Sequence, residues 1–295
     1  MAANDLDQPL IVIVGPTASG KTSLAIELAE EYGGEIICAD SRTIYKGMDI
    51  GTAKPSKEDQ ARVSHWGLDL ATPGERFTAA DFKRYATQKI VEIRERGHIP
   101  FLVGGTGLYI DGVIFDFQFS NKADEAQRDK LESFSVEQLV EYCEKNNVDL
   151  PENRQNRRYL IRAIERKDIV VKRNTALISN CIVVGIATER DELRKRIQER
   201  AEHLFENGVV EEATILGKMY GWNSEAMTGN IYPLIHLYLE NDISFEEMKE
   251  KITTLDWRLA KRQLTWFKRN LHISWLSLEQ AKTYIAERLA NEHKS

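Results

Sequence analysis

The sequence has few cysteines and no long apolar run, and both features exclude whole classes of protein. Its three cysteines, Cys38, Cys143 and Cys181, lie far apart and form no C-x-x-C pair. This spacing supports neither a zinc site nor a disulfide framework, so we expect reduced thiols and a cytoplasmic protein. No apolar run approaches the length of a membrane span, and we expect no membrane partner. The N-terminal segment MAANDLDQPL has no basic stretch ahead of an apolar one, so we expect no signal peptide.

The chain also lacks an overall positive charge, which argues against a uniformly basic nucleic-acid binder. Its 40 Lys and Arg residues stand against 46 Asp and Glu residues, giving a net charge of −6. The basic residues are concentrated, however. Residues 154–173 contain eight basic and two acidic residues, and residues 258–269 contain five basic and no acidic residues. Such segments favour contact with a phosphate backbone, although a solvated helix face explains either one alone.

The most specific motif is a glycine loop between a strand and a helix. Residues 10–14, LIVIV, form an apolar run that predicts a buried central strand, and a helical pattern begins at Thr22 and stops at Gly33. Between them lies the pattern G-x-x-x-x-G-K-[ST] of a phosphate-binding loop. It consists of Gly15, Pro16, Thr17, Ala18, Ser19, Gly20, Lys21 and Thr22.

The chemistry of this loop favours a diphosphate or polyphosphate ligand. Glycines allow successive backbone N–H groups to converge on an anion, and the helix N-terminus adds unpaired N–H groups. Lys21 is a mobile charge for terminal phosphates. The Thr22 hydroxyl is a ligand for Mg²⁺, the cofactor that we expect.

Two further strands are predicted to end beside this loop. Residues 35–39 bring Asp40 to the carboxyl end of a strand, where its carboxylate can accept a proton from a nucleophile that faces the phosphates. A turn-capping role for Asp40 is equally compatible with the sequence. Residues 99–103 enter the glycine-rich loop GGTG without the magnesium-binding Asp of nucleoside-triphosphate hydrolases. This absence argues against a motor or switch ATPase.

The order of elements predicts an α/β core with an insertion. A capping box at Thr78-x-x-Asp81 begins a helix that ends near Gly97, and Ser244-x-x-Glu247 caps a long helix. Strands and helices cease to alternate between about Phe115 and Val171, and residues 181–187 then form a buried strand. We therefore expect a parallel sheet flanked by helices over residues 1–114 and 173–295, with a small helical insertion domain over residues 115–172.

Six blocks of sequence together resemble the bacterial tRNA dimethylallyltransferases, also called tRNA isopentenyltransferases. They are GPTASGKT (15–22), ADSRTIYKGMDIGTAKP (39–55), FTAADFKRYA (77–86), GGTGLY (104–109), RAIE (162–165) and AKRQLTWFKR (260–269). The resemblance implies a P-loop core like that of nucleotide kinases. It also implies transfer of a dimethylallyl group from dimethylallyl diphosphate to N6 of the adenosine that follows the tRNA anticodon (position 37). The resemblance further implies that the insertion domain at residues 115–172 binds tRNA and helps hold the anticodon stem-loop, and we expect a monomer.

The resemblance also assigns roles to residues. Residues 15–22 would hold the diphosphate with Lys21 and a Thr22-bound magnesium, and Asp40 would take the proton from N6. Residues implied to contact tRNA are Asp40, Ser41, Arg42, Thr43, Thr106, Arg128, Arg158, Tyr159, Leu160, Ile161 and Arg162. The second basic segment adds Arg258 and Arg262 to this set.

The sequence departs from the family pattern in two places, which leaves alternatives open. Arg158-Tyr159 stands where Gln-Arg is usual, and residues 227–233 read MTGNIYP where Q-A-I-G-Y-[KR] is usual. The basic residue of that segment is absent, so another cation must hold the diphosphate or binding is weaker. The alternatives are a small-molecule or nucleotide kinase, an adenylate prenyltransferase and an RNA-binding module without catalytic activity. A phosphate gain or a prenyl gain on the acceptor separates the kinase from the transferases.

Overall fold

The structure, a computed structural model, describes residues 8–119, 125–151, 153–165 and 176–292. The chain divides into two compact units. Residues 1–115 and 176–295 form the first, called here the core unit, and residues 116–175 form the second, called the insertion unit. In the described part of the chain no helix is both long enough and apolar enough to cross a membrane.

The core unit contains a parallel sheet of six strands. They are β1 (Leu10–Val14), β2 (Gly34–Cys38), β3 (His65–Trp66), β4 (Ile99–Gly104), β5 (Cys181–Ile186) and β6 (Ser274–Leu276). The strand order is β3-β2-β4-β1-β5-β6, and every neighbouring pair is parallel. This confirms the predicted α/β class and its parallel sheet. The predicted strands at residues 10–14, 35–39, 99–103 and 181–187 match β1, β2, β4 and β5 to within one residue at either end.

Twelve helices lie in the described residues. They are α1 (Lys21–Tyr32), α2 (Lys57–Arg62), α3 (Ala79–Glu95), α4 (Gly107–Ile114), α5 (Glu125–Glu132), α6 (Val136–Lys145), α7 (Arg157–Glu165), α8 (Arg190–Glu206), α9 (Val209–Tyr220), α10 (Tyr232–Leu239), α11 (Phe245–Phe267) and α12 (Leu278–Glu292). A short 3₁₀ helix spans Glu225–Thr228. Helices α5, α6 and α7 belong to the insertion unit, and the others belong to the core unit.

Local sequence signals explain where several helices begin and end. Both predicted capping boxes are present, because Thr78 bonds reciprocally with Asp81 and Ser244 with Glu247. Gly208 separates α8 from α9, and its φ of 86° favours a residue without a Cβ.

Strand β1 lies in the middle of the sheet and is buried on both faces. Its apolar side chains alternate between the faces, and all five residues are fully buried. Ile11 and Ile13 pack with side chains of α1 and α12, including Leu28 and Ile285. Because all strands are parallel, the loops that follow β1, β2 and β4 leave the sheet at the same edge.

The insertion unit has a small apolar core of its own. Leu131, Leu139, Cys143 and Leu160 are buried together from all three of its helices. Helix α7 therefore turns its apolar face to α5 and α6. The apolar residues of α7 recur three and four positions apart, which is the spacing of an amphipathic helix.

Candidate functional site

Two of the loops at the carboxyl edge of the sheet are tied together by hydrogen bonds. The backbone N–H of Ser41 donates to Oγ1 of Thr106 at 3.0 Å, and the N–H of Thr106 donates to the carbonyl of Ala39 at 3.2 Å. Gly104 permits this approach, since a Cβ there would lie 2.1 Å from the Ala39 carbonyl oxygen. The structure thus brings residues 40–43 and Thr106 together, as the sequence predicted.

The glycine loop has the geometry of an anion site. Gly20 takes the left-handed conformation with φ 86°, and Ala18 does so as well with φ 61°. Helix α1 begins at the next residue, Lys21. Its N-cap residue is Gly20, so no side-chain hydrogen bond caps the start of the helix. The N–H groups of its first turn are therefore available to a phosphate group.

Lys21 lies in this loop with its charge poorly compensated. Its Nζ donates to the carbonyl of Pro16 at 3.2 Å. Burial lowers the pKa of Lys21 to about 8; the Asp40 carboxylate opposes this shift, and the Arg200 guanidinium adds to it. A buried ammonium of this kind gains stability when a bound anion supplies the missing negative charge.

Asp40 has a defined backbone partner. Its Oδ1 accepts the N–H of Arg42 at 2.8 Å, so the capping role considered for this residue is real. The carboxylate also lines the cavity that contains Lys21 and Thr22. Turn formation and a position facing the phosphate loop are therefore combined in one side chain.

The loops enclose a cavity of about 580 Å³, which is within the usual range for small-ligand pockets. The residues of the predicted site that line it are Thr17, Ala18, Gly20, Lys21, Thr22, Asp40, Ser41, Arg42, Thr43, Thr106 and Arg262. Gly15, Pro16 and Ser19 are not among the lining residues, and Ser19 is fully buried beneath the loop. Arg258 is exposed and is also absent from the lining.

Gln263 joins two of the glycine loops, and the sequence had assigned it no role. Its Oε1 accepts the N–H of Thr17 at 2.8 Å, and its Nε2 donates to the carbonyl of Gly105 at 3.1 Å. The residue lies in a block that was recognised, AKRQLTWFKR, but only the register of α11 against the sheet edge reveals which side chain reaches the loops.

A second unpredicted cluster places another cation in the cavity. Nη1 of Arg200 donates to Oδ2 of Asp256 at 2.7 Å, and Nδ2 of Asn230 donates to Oδ1 of Asp256 at 3.2 Å. Asp256 is only 2% exposed, and all three residues line the cavity. Arg200 thus lies in the same cavity as residues 228–232, which belong to the segment that lacks the family's usual basic residue.

Arg42 forms hydrogen bonds with the 3₁₀ helix at Glu225–Thr228. Its Nη1 donates to the carbonyls of Glu225 and Ala226 at 3.1 and 3.2 Å, and its Nη2 lies 3.5 Å from Oγ1 of Thr228. The guanidinium therefore joins the loop after β2 to the 3₁₀ helix and forms part of the cavity wall.

Glu212 shapes another part of the wall, and the sequence gave no signal for it. Its carboxylate accepts the backbone N–H groups of Asp49, Ile50 and Gly51 at 2.7–2.9 Å and the hydroxyl of Tyr232 at 2.9 Å. This carboxylate therefore holds the segment at residues 49–51 in place.

The predicted residues of the insertion unit differ in exposure. Arg128 forms ion pairs with Glu132 at 2.8 Å and Glu165 at 2.6 Å. Leu160 and Ile161 lie in the apolar core of the insertion unit, whereas Tyr159 and Arg162 are exposed. The side chain of Arg158 and residues 166–173 of the basic segment lie outside the described residues.

The oxygen donors of the cavity suit a metal ion that is held mainly by phosphate and water. No group of three or more His, Cys, Asp or Glu side chains that could hold a metal occurs among the described residues. The Thr22 hydroxyl and the Asp40 carboxylate are both in the lining. Mg²⁺ commonly uses one or two protein oxygens together with substrate phosphates and waters, so this donor set fits Mg²⁺.

Comparisons with known proteins agree with the geometry. The model of the family described as IPP transferase matches residues 43–270. The tRNA dimethylallyltransferases of Bacillus anthracis and Bacillus cereus strain AH187 are each 37% identical over 286 residues, covering 92% of this chain and 91% and 90% of those relatives.

Solved structures give the same result. A tRNA isopentenylpyrophosphate transferase from Bacillus halodurans has a TM-score of 0.74 at 35% identity, covering 97% of this chain and 98% of that one. A eukaryotic dimethylallyltransferase solved acting on tRNA shares the fold, with a TM-score of 0.76 at 22% identity over 95% of this chain and 77% of that one. With the family model matching most of its length, this chain belongs to the IPP transferase family.

Proposed function

We propose that this protein transfers a dimethylallyl group from dimethylallyl diphosphate to N6 of the tRNA adenosine at position 37, next to the anticodon, and releases diphosphate. The observation that carries the proposal is the position of the Asp40 carboxylate in the same cavity as the phosphate loop. A proton acceptor and an anion site must lie together for this chemistry, because the nucleophile attacks the carbon that bears the diphosphate.

The phosphate end of the cavity binds the leaving group. The N–H groups at the start of α1 and the Lys21 ammonium neutralise the charge that grows on the diphosphate as the bond to carbon breaks. Arg200 supplies a second cation, since residues 227–233 contain no basic residue. Mg²⁺ held by Thr22 and the diphosphate would add Lewis-acid stabilisation of the leaving oxygens.

The acceptor end contains the base. The N6 nitrogen forms a bond to the allylic carbon, the bond between that carbon and the diphosphate oxygen breaks, and Asp40 accepts the proton that N6 loses. A positioned general base contributes about 10²- to 10⁴-fold in rate. The Asp40 carboxylate is kept in place by the N–H of Arg42, so little rearrangement is needed before transfer.

The adenosine must leave the stacked anticodon loop to reach this cavity. Ser41, Thr43, Thr106 and Arg262 line the cavity and are the proposed contacts of the core unit with the extruded base and its backbone. On the insertion unit the proposed contacts are Arg128, Arg158, Tyr159 and Arg162. Leu160 and Ile161 support these contacts from within the apolar core. In this proposal the protein acts on tRNA as a monomer in the cytoplasm.

Nucleoside analysis of tRNA tests the proposal. Unmodified tRNA is incubated with the protein, Mg²⁺ and dimethylallyl diphosphate, digested and measured by mass spectrometry. The expected result is one dimethylallyl group on the adenosine at position 37. Parallel reactions supply AMP as the prenyl acceptor, or ATP with small-molecule acceptors. Prenylation of AMP alone, or phosphate transfer without prenylation of tRNA, contradicts the proposal.

A further inference from the structure

Three cations surround one tryptophan on the surface of the core unit. The guanidinium carbons of Arg190 and Arg194 lie 6.0 and 4.9 Å from the ring centroid of Trp257, and Nζ of Lys261 lies 5.7 Å from it. The two arginines are one turn apart on α8, and the other two residues are one turn apart on α11. These four residues form what is called here the Trp257 patch.

Among the described residues, no ion pair neutralises the three charges of the patch. All three cationic residues are exposed, and none of them forms an ion pair with another described residue. Asp191 is adjacent to Arg190 in sequence, but neighbouring residues project from different sides of a helix. Three other acids of the same two helices are paired with cations outside the patch. Glu192 pairs with Arg196, Glu199 with Lys195, and Asp256 with Arg200.

Such an arrangement favours the binding of an anion. Contact with the indole is worth about 0.5–1 kcal/mol per cation at an exposed site, and it holds the long side chains near the ring. The like charges repel one another across the same ring. A ligand with several regularly spaced negative charges relieves this repulsion and finds the cations already positioned.

The patch lies beside an element of the cavity wall. Trp257 packs against the buried cluster of Leu193 and Ile197, and Ala18 of the phosphate loop, which lines the cavity, packs against the same cluster. Lys261 is next in sequence to Arg262, which lines the cavity. A long polyanion that reaches the cavity at Arg262 therefore meets the Trp257 patch as it continues across the surface.

We propose that the Trp257 patch is an RNA-binding surface that contacts the phosphate backbone of the tRNA outside the modified base. The sequence indicated phosphate-backbone contact for residues 258–269, which include Lys261, but it assigned no role to the two arginines of α8. This inference rests on the proposed function for the identity of the RNA. The patch sets affinity and the salt dependence of binding, while the chemistry stays with Asp40 and the phosphate loop.

The test measures binding of unmodified tRNA by the full chain at several salt concentrations. In the double variant Arg190→Gln and Arg194→Gln, loss of one or two phosphate contacts should lower the slope of log K against log salt by about 0.7–0.9 per contact. The dissociation constant at 0.1 M salt should rise about 5- to 30-fold. Lys261→Gln alone should lower the slope by about 0.7–0.9, because it removes a single contact.

Lys195→Gln is the matched control. Lys195 is an exposed cation on the same helix, but it is paired with Glu199, so its loss should leave the slope unchanged. Binding of inorganic pyrophosphate should be equal in all variants. A patch variant with the slope of the control overturns the proposal, and so does a loss of pyrophosphate affinity with unchanged tRNA binding.

The outcome is separable from that of the proposed function. Binding is measured without dimethylallyl diphosphate, whereas the proposed function is judged by prenylation of tRNA by the unaltered protein. If the patch variants lower the salt slope but the unaltered protein does not prenylate tRNA, the RNA-binding patch is supported and the proposed function is contradicted. If the unaltered protein prenylates tRNA but the patch variants leave the salt slope unchanged, the proposed function is supported and the RNA-binding patch is contradicted.

Discussion

At the scale of single residues, Asp40 shows how one carboxylate can serve both structure and chemistry. Its Oδ1 fixes the turn after β2 through the N–H of Arg42 at 2.8 Å, and the side chain lines the cavity. A carboxamide can accept the same backbone hydrogen bond but is not a base at neutral pH. The two roles can therefore be separated by substitution.

The variant Asp40→Asn should retain the turn and lose the base. We expect transfer to fall by about 10²-fold or more while tRNA affinity stays near that of the unaltered protein. Asp40→Ala should lose transfer to a similar extent and in addition lower thermal stability, because the N–H of Arg42 loses its acceptor. Single-turnover rates, tRNA binding and melting temperatures measure the three effects. Normal turnover in the Asn variant would remove Asp40 from the mechanism.

Lys21 gives the binding of pyrophosphate a pH dependence. Burial lowers the pKa of its ammonium to about 8 from the ordinary 10.5 in the free protein, and a bound diphosphate raises it again. Below pH 8 the charge is present before binding. Above pH 8 a proton must be taken up, so affinity should fall.

This dependence can be measured by calorimetry with inorganic pyrophosphate between pH 7 and 9.5. The ratio of the affinity of the unaltered protein to that of Lys21→Gln should fall by up to about tenfold per pH unit above pH 8. Titration of the ligand itself cancels in this ratio. A ratio that is constant with pH would show that the ammonium is fully formed in the free protein.

At the scale of elements, Glu35 holds the start of β2. Its side chain is 5% exposed and accepts hydrogen bonds from Arg96 at 2.8 and 2.9 Å and from Trp66 at 2.6 Å, with Nδ1 of His98 at 2.7 Å. Burial alone would raise the pKa of this carboxyl, but these donors outweigh it and lower the pKa to about 2. The end of α3 and the strands β2, β3 and β4 meet at this one side chain.

Because the folded pKa lies below the ordinary value, the stability that Glu35 contributes should be present above pH 4.5 and lost as the pH falls toward 2. Glu35→Gln should lower the free energy of unfolding by about 2–4 kcal/mol at pH 7 and by much less at pH 3. Denaturant titrations at the two pH values measure this. Glu199→Gln, which removes an exposed pair, should cost less than about 1 kcal/mol. Equal losses for the two variants would contradict the argument.

The elements that could be predicted from the sequence are those with a local cause. Strand β1 is a continuous apolar run, and α3 and α11 begin at capping boxes, so each is determined within a few residues. Strands β3 and β6 were not predicted. They have two and three residues, too few for a periodic pattern, and they exist because β2 and β5 offer them an edge.

The candidate site divides in the same way. The phosphate loop, Asp40 and Thr106 follow strands directly, so the sequence places them at one edge of the sheet. Gln263, Arg200, Asp256 and Glu212 reach the site from helices far along the chain. Their positions depend on how α8, α9 and α11 pack, and no short pattern encodes that packing.

At the scale of the whole molecule, a ligand in the cavity should stabilise the fold because it binds elements from both ends of the chain. The lining includes the loop at Lys21, Asn230 of the segment before α10, and Arg262 of α11. A ligand that binds only the folded state at 100 times its dissociation constant adds about 2.7 kcal/mol to the free energy of unfolding.

Inorganic pyrophosphate with Mg²⁺ should therefore raise the melting temperature by several degrees, and excess EDTA should remove most of the gain. Differential scanning fluorimetry measures both. Lys21→Gln should show a much smaller increase under the same conditions. An increase that is identical in the presence of EDTA would remove the metal from the proposed site.

The two hydrogen bonds of Gln263 have a consequence for the protein during synthesis. The phosphate motif ends at Thr22, but Thr17 receives its acceptor from a residue 246 positions later. A nascent chain on the ribosome therefore carries the motif long before it carries a finished pocket. Incomplete chains that end before α11 would possess the recognisable signature but would lack the two hydrogen bonds with which Gln263 joins Thr17 to Gly105.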